Sequence, residues 1–302
     1  MSNQFLTDKS LALEAAFYGF ALDTAPSFAE PGIAPHYAPD VGFELLHIDL
    51  RLTINPEAKT LVGEATLDIR PLNIGLGEVA IDFDDMVIDS VENAQGDALV
   101  WSDADGKLML QGVNPEGEKI TIRWHGSPTR GLYFTGPTTA EPERSHMAWS
   151  QCQDEDAHFF FPCLDHPSVK CAWSMAFTVP EGMQAIGNGR FAGRDGNTWR
   201  WEQEEPMPAY LFTVCVGEFD VYTEPGDGVP VRYLAPAGVS DADFQRIFGK
   251  TPKMIAFFEE CYGYPYPWPR YDQVVVHDFI FGGMENVAST TLTDLCLTDE
   301  RA

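Results

Sequence analysis

The sequence is poor in cysteine, poor in basic residues and without a long apolar run, and each shortage excludes something. Its six cysteines, Cys152, Cys163, Cys171, Cys215, Cys261 and Cys296, form no Cys-x-x-Cys pair and are too sparse over 302 residues for a disulfide scaffold. They are expected to be mostly buried thiols in a reducing compartment. No stretch approaches the ~18 consecutive apolar residues of a membrane-spanning helix. Met1 to Phe20 contains Asp8 and Glu14 and lacks a basic start followed by a clean apolar core, so it does not read as a signal peptide, and a cytoplasmic location is expected. Only 19 basic residues face 46 acidic ones, a formal charge of −27 that repels nucleic acid and anionic membranes while favouring cationic ligands. Neither nucleic acid nor a membrane is therefore expected as a partner.

What is present is a soluble globular composition, 44% hydrophobic and 22% charged, long enough for two ordinary domains or one large one. Residues 5–20 could form a short helix, and four prolines between Ala25 and Asp40 predict an extended lead-in over residues 1–40. From Leu46 to Ile54 every second residue is apolar, while His47, Asp49, Arg51 and Thr53 face the other side, which predicts a half-buried strand. The alternation returns over Leu61–Arg70 after the turn at Asn55-Pro56. Further strands are expected at 79–83, 86–91, 107–111, 119–124, 172–179, 198–202 and 210–216, with hairpin dipeptides at Asn188-Gly189 and Asp195-Gly196. Short strands at such spacing argue for a mostly β fold, an antiparallel sandwich or saddle over residues 41–223.

Glu224-Pro225-Gly226-Asp227-Gly228 reads as a domain boundary. Past it, over residues 229–302, the pattern changes to a mixed α/β unit. Ser240 and Asp243 predict a helix start, Phe244, Ile247 and Phe248 follow at helical spacing, and Thr251-Pro252 starts a second helix or kinks the first, which Gly263–Pro269 must end. The run Gln273–Phe281 is rich in β-branched and aromatic residues and predicts a strand.

Phe281-Gly282-Gly283-Met284-Glu285-Asn286 follows that strand. Glycines in strand-like sequence mark a bulge or a close approach of another backbone. A peptide laid along such an edge adds as an extra strand through main-chain hydrogen bonds, and Glu285 offers a negative charge near one end, suited to a free amino terminus. A bulge with a solvated glutamate is the plainer reading of the same residues.

A second stretch, Trp149 to Lys170, is an amide- and acid-rich loop followed by Phe159-Phe160-Phe161-Pro162. His146, Cys152, His158, Cys163 and His166 have zinc-ligand chemistry, but their spacing matches no compact site. Asp154-Glu155-Asp156 lacks the alternating ligands and glycine of a calcium loop. A Cys/His nucleophile pair and a solvated loop beside core aromatics both remain open.

Together, Gly-Gly-Met-Glu-Asn at 282–286, Gln151-Cys152-Gln153 and Leu164–Lys170 resemble the zinc aminopeptidases related to aminopeptidase N and leukotriene A4 hydrolase, over about His36 to the end of the chain. The resemblance implies a β-saddle N-terminal domain followed by the start of a thermolysin-like α/β catalytic domain. It implies that Glu285 binds a peptide's α-ammonium group, aided by Gln153, where many members carry glutamate. Gln151 would belong to the loop that reaches the active site, Gly282, Gly283 and Met284 would hold the substrate backbone, and Phe281 would line the first side-chain pocket. Zinc and the remainder of the catalytic domain are implied for the parent protein.

The zinc site of that family, His-Glu-x-x-His on a helix with a further glutamate, follows the docking motif. None of the seven histidines here begins such a motif. The chain is thus expected to be the N-terminal portion of an aminopeptidase, with no catalytic residue and no metal ligand of its own, and inactive alone. A non-catalytic peptide- or protein-binding module of the same fold is the alternative, and an added epoxide hydrolase activity, hinted at by Gln153 and the Gly-Gly pair, is a further one.

Overall fold

A computed structural model describes residues 42–72, 78–114 and 116–301. The lead-in and first helix expected from the sequence fall outside the described residues. In chain order come β1 (Phe43–Asn55), β2 (Thr60–Pro71), β3 (Glu78–Asp82), β4 (Val87–Glu92), β5 (Val100–Ala104), β6 (Lys107–Gln111) and β7 (Glu118–Gly126). They are followed by β8 (Leu132–Thr135), β9 (Met147–Ser150), β10 (Cys171–Thr178), β11 (Gln184–Gly187), β12 (Arg190–Asp195), β13 (Thr198–Met207) and β14 (Val214–Gly217). The last part holds β15 (Phe219–Thr223), β16 (Val231–Pro236), helices α1 (Asp241–Phe248) and α2 (Thr251–Tyr262), β17 (Tyr271–Val276), β18 (Gly283–Met284) and β19 (Ser289–Thr293).

The alternation of β1 becomes burial of Ile48, Leu50, Leu52 and Ile54. Its antiparallel partner β2 buries Leu61, Ala65, Leu67 and Ile69 on the same face. Among the described residues a seven-stranded sheet runs β12-β13-β10-β1-β2-β7-β4, with β10 parallel to β1 and its other neighbours antiparallel. A four-stranded sheet, β11-β14-β9-β8, shares its core, where Phe160, Phe161, Trp173, Phe177 and Phe212 gather. The expected mostly β architecture is what the chain adopts.

A mixed five-stranded sheet follows in the order β15-β16-β17-β19-β18, with β16, β17 and β19 parallel. Parallel neighbours need a crossover, and α1 and α2 provide it between β16 and β17. A capping box starts α1, the Ser240 hydroxyl accepting from the Asp243 amide while Asp243 accepts from the Ser240 amide. Left-handed Gly263 (φ +62°) ends α2, a backbone that residues with a Cβ adopt at a cost.

Local patterns mislead at two places, and the expected boundary falls in a hairpin loop. Glu224–Gly228 joins the antiparallel strands β15 and β16, so β15 lies in the five-stranded sheet and the change of sheet falls at Glu218. Proline and glycine mark a hairpin loop as readily as a linker. At Asn188-Gly189 the chain passes from one sheet into another rather than making a hairpin, whereas Asp195-Gly196 does turn β12 into β13. Of the expected strand at 210–216 only Val214 onward joins a sheet, because Ala209–Leu211 forms a 3-10 turn. No helix among the described residues is long and apolar enough to cross a membrane.

Candidate functional site

The expected strand over 273–281 stops at Val276. Left-handed Asp278 (φ +57°) then turns the chain, and Phe279 leaves the ladder to pack edge-on against Trp149, with 5.1 Å between ring centroids. The turn is pinned from the β-rich side. The Trp149 indole donates to the His277 carbonyl (2.9 Å), and Arg144, almost fully buried, pairs with the Asp278 carboxylate at 2.6 Å. The His277 ring meets Asp294 at 2.9 Å.

The chain re-enters the sheet as β18, pairing Gly283 with Leu292 and Met284 with Thr291, and β18 is the last strand of its sheet. One of its two edges is therefore unpaired, the geometry that strand addition needs. The two glycines differ in role. A Cβ on Gly283 would lie 2.9 Å from a Leu292 methyl carbon, which would have to swing aside, whereas Gly282 meets nothing within 4 Å and leaves the entrance open.

The two loops singled out in the sequence come together at this strand. Gln151 is buried at the end of β9, its amide nitrogen 3.5 Å from the Met284 sulfur. The Gln151 side-chain oxygen has no hydrogen-bond partner. Gln153 and Glu285 are exposed, each a step or two from that buried contact, so the loops that carry them meet beneath them. Phe281 is half-exposed, with its ring 6.3 Å from that of Phe279.

Below the strand, polar bridges join the two parts of the fold. Asn188 accepts from the Thr213 amide (2.8 Å) and donates to the carbonyls of Leu211 (2.9 Å) and Val287 (3.0 Å). Thr291 meets Thr213 at 3.3 Å and Cys215 at 3.7 Å, and also accepts from the Asn286 amide at 3.2 Å. Arg270 donates to the Gly187 and Ala288 carbonyls, pairs with Asp272 and stacks 4.4 Å over Trp201. Burial brings the Arg270 guanidinium down to about 10, still charged at neutral pH. These braces escaped sequence reading. Asn188 reads as a turn residue, and Arg144 and Arg270 carry no motif.

The alternatives weighed for 146–166 resolve into structure. His158 is engaged through Nδ1 by Asp165 at 2.8 Å, and Asp165 also accepts from the His158 amide at 3.0 Å. Cys152, Cys163, Cys171 and Cys215 are buried free thiols. Burial pushes Cys171 up to about 12 and Cys215 to about 11, and drives Cys152 and Cys163 well above the ordinary thiol range, the opposite of nucleophile activation. Among the described residues no group of three or more His, Cys, Asp or Glu is placed to hold a metal ion, so the residues present do not form a zinc site.

A β-rich unit followed by a mixed sheet with a short, open edge strand is the fold of the leukotriene A4 hydrolase class. The structure of yeast leukotriene A4 hydrolase in complex with bestatin aligns with a TM-score of 0.76 at 24% identity, over 90% of this chain and 44% of that one. Residues 40–211 match the Peptidase M1 N-terminal domain and residues 247–302 the Peptidase family M1 domain. The chain belongs to the M1 peptidase family. Aminopeptidase N of Streptomyces lividans is 28% identical over 258 residues, covering 82% of this chain and 29% of the relative. Aminopeptidase B of Rattus norvegicus is 26% identical over 289 residues, covering 86% and 44%. The chain thus spans less than half the length of these relatives.

Proposed function

We propose that this chain is the N-terminal portion of a zinc-dependent aminopeptidase that removes N-terminal residues from peptides, and that it carries the docking loops for the substrate's amino terminus. The observation that supports the reading most is the contact of Gln151 with Met284, which gathers two loops from different sheets at an open edge strand. In this reading the peptide backbone lies along Gly282, Gly283 and Met284 as an added strand. Glu285 supplies the full charge that holds the α-ammonium group, and the Gln153 carbonyl accepts a further hydrogen bond from it. Phe281 lines the pocket for the first side chain. The β-rich unit braces the edge through Trp149, Arg144 and Asn188, so docking depends on both parts of the fold. The zinc of such an enzyme is held by residues outside the ones described.

The test is hydrolysis of aminoacyl fluorogenic amides. The purified 302-residue chain is expected to show none, and turnover by it would sink the assignment of the catalytic machinery to other residues. In the full gene product, Glu285→Gln is expected to lower kcat/KM by roughly 30-fold or more, equivalent to about 2 kcal/mol for a lost charge-assisted hydrogen bond. Peptide binding without cleavage by the full gene product would instead favour the non-catalytic module, and turnover of a lipid epoxide would add the second activity.

A further inference from the structure

The connection between β8 and β9, residues 136–146, carries a single arginine. The Arg144 side chain is only 6% exposed, while the two carboxylates it meets, Glu141 at 3.1 Å and Asp278 at 2.6 Å, are each 63% exposed. The near end of this bridge is fixed within its own loop. The Thr138 amide donates to the Glu141 carbonyl at 3.1 Å, the Glu141 amide to the Thr138 hydroxyl at 3.0 Å, and the Arg144 amide to the Glu141 carbonyl at 3.3 Å. The far end lies where the chain has left β17, at left-handed Asp278 (φ +57°), a backbone that residues with a Cβ adopt at a cost. After that turn comes β18, which is two residues long and has a partner strand on one side only. So short a strand has too few hydrogen bonds to set its own line, and the turn before it sets it instead.

An ion pair with a buried member adds little net stability, because desolvating the cation offsets the attraction. What it fixes is direction, since a guanidinium offers its donors in a rigid planar fork. Resting on the reading of Glu285 as the group that binds the substrate's ammonium, we propose that Arg144 is a positioning residue: held by Glu141 on its own loop, it keeps Asp278 in the left-handed turn and so sets where Glu285 meets the amino terminus. Trp149 holds the neighbouring His277 carbonyl, but it is a core residue as well. Arg144 is therefore the group whose removal isolates the effect, because the two carboxylates left behind already reach water.

The test has two arms. In the 302-residue chain Arg144→Gln is expected to leave melting nearly unchanged and to speed amide exchange over 282–285 about tenfold, with the β-rich sheets unaffected. In the full gene product the same variant is expected to weaken inhibition by leucine hydroxamate about tenfold, and inhibition by the des-amino hydroxamate of the same carbon skeleton by less than about twofold, because only the first uses the ammonium contact. Asp278→Asn, which removes the charge and keeps the shape, should show both patterns, and the double variant should be no worse than the single ones. Unaltered exchange over 282–285, equal weakening of the two hydroxamates, or additive losses in the double variant would overturn the proposal, the second by making Arg144 a general brace. A full gene product that binds neither hydroxamate would count against the aminopeptidase reading alone, and the exchange arm would still decide whether Arg144 sets β18.

Discussion

Two aromatic clusters in this chain share ring geometry and differ in everything else. Around Phe212 the centroids of Phe160, Phe161, Trp173 and Phe177 lie 6.0, 4.9, 5.6 and 6.2 Å away, and all five residues are buried between sheets. On α2, Phe257, Phe258 and Tyr262 approach one another at 5.6 and 5.9 Å and remain in solvent. Ring contact is the same in both; removal from water is not. A fully buried phenylalanine side chain contributes roughly 1.5–3 kcal/mol by leaving water, and that gain is absent on α2. The β-rich part is thus a finished core, and the part after Glu218 is finished on one side only.

The widest separation between the regions should come from Phe212→Ala and Phe257→Ala. Urea unfolding is expected to show a loss of about 3–5 kcal/mol for the first and within about 0.5 kcal/mol for the second. Comparable losses would mean that α2 is covered in solution. Next in size is Asp272→Ala. Asp272 is wholly buried, accepts from Arg232 at 2.9 Å and pairs with Arg270, so its removal strands a buried guanidinium. About 3 kcal/mol is expected by the same assay, the lower part of the range because Arg232 reaches solvent. Ser240→Ala removes the cap of α1 and should cost about 1 kcal/mol, visible as faster amide exchange in 241–248 with the β-rich core unaffected.

The smallest effect belongs to His47 in β1, whose pKa burial holds below the usual 6.5 against the opposing pull of Asp49 and Asp68. A folded state that disfavours the imidazolium binds fewer protons than the unfolded chain. Its contribution is therefore present above pH 6.5 and lost as pH falls through the folded value. His47→Gln should flatten that slope slightly between pH 7 and pH 5 in thermal melts.

How much could be read in advance follows the same division between local and distant. β1 and β2 were legible because alternation is written in neighbouring residues, and the cap of α1 because it needs only Ser240 and Asp243. The end of β17 was not, since Phe279 and Ile280 continue the apolar composition while Phe279 turns away to meet Trp149. Nor was the contact of Gln151 with Met284, which spans 133 positions and leaves no mark on either neighbourhood. β17 could be named from composition and the Gly-Gly motif from resemblance, but β18 and β19 were not read, and the braces beneath them are made by tertiary meetings.

The parallel pairing of β1 with β10 bears on how the chain is made. His47 and Ser174, whose side chains meet at 3.0 Å across that pair, are 127 positions apart. At a synthesis rate of ~5–20 residues per second, the ribosome needs roughly 6–25 s to deliver the second strand after the first. During that interval the edge of β1 that later receives β10 has no partner strand, and an open edge invites pairing with neighbouring nascent chains. His47, Asp49, Arg51 and Thr53 put two charges and two polar groups along that strand, the kind of residues that discourage pairing at an open edge.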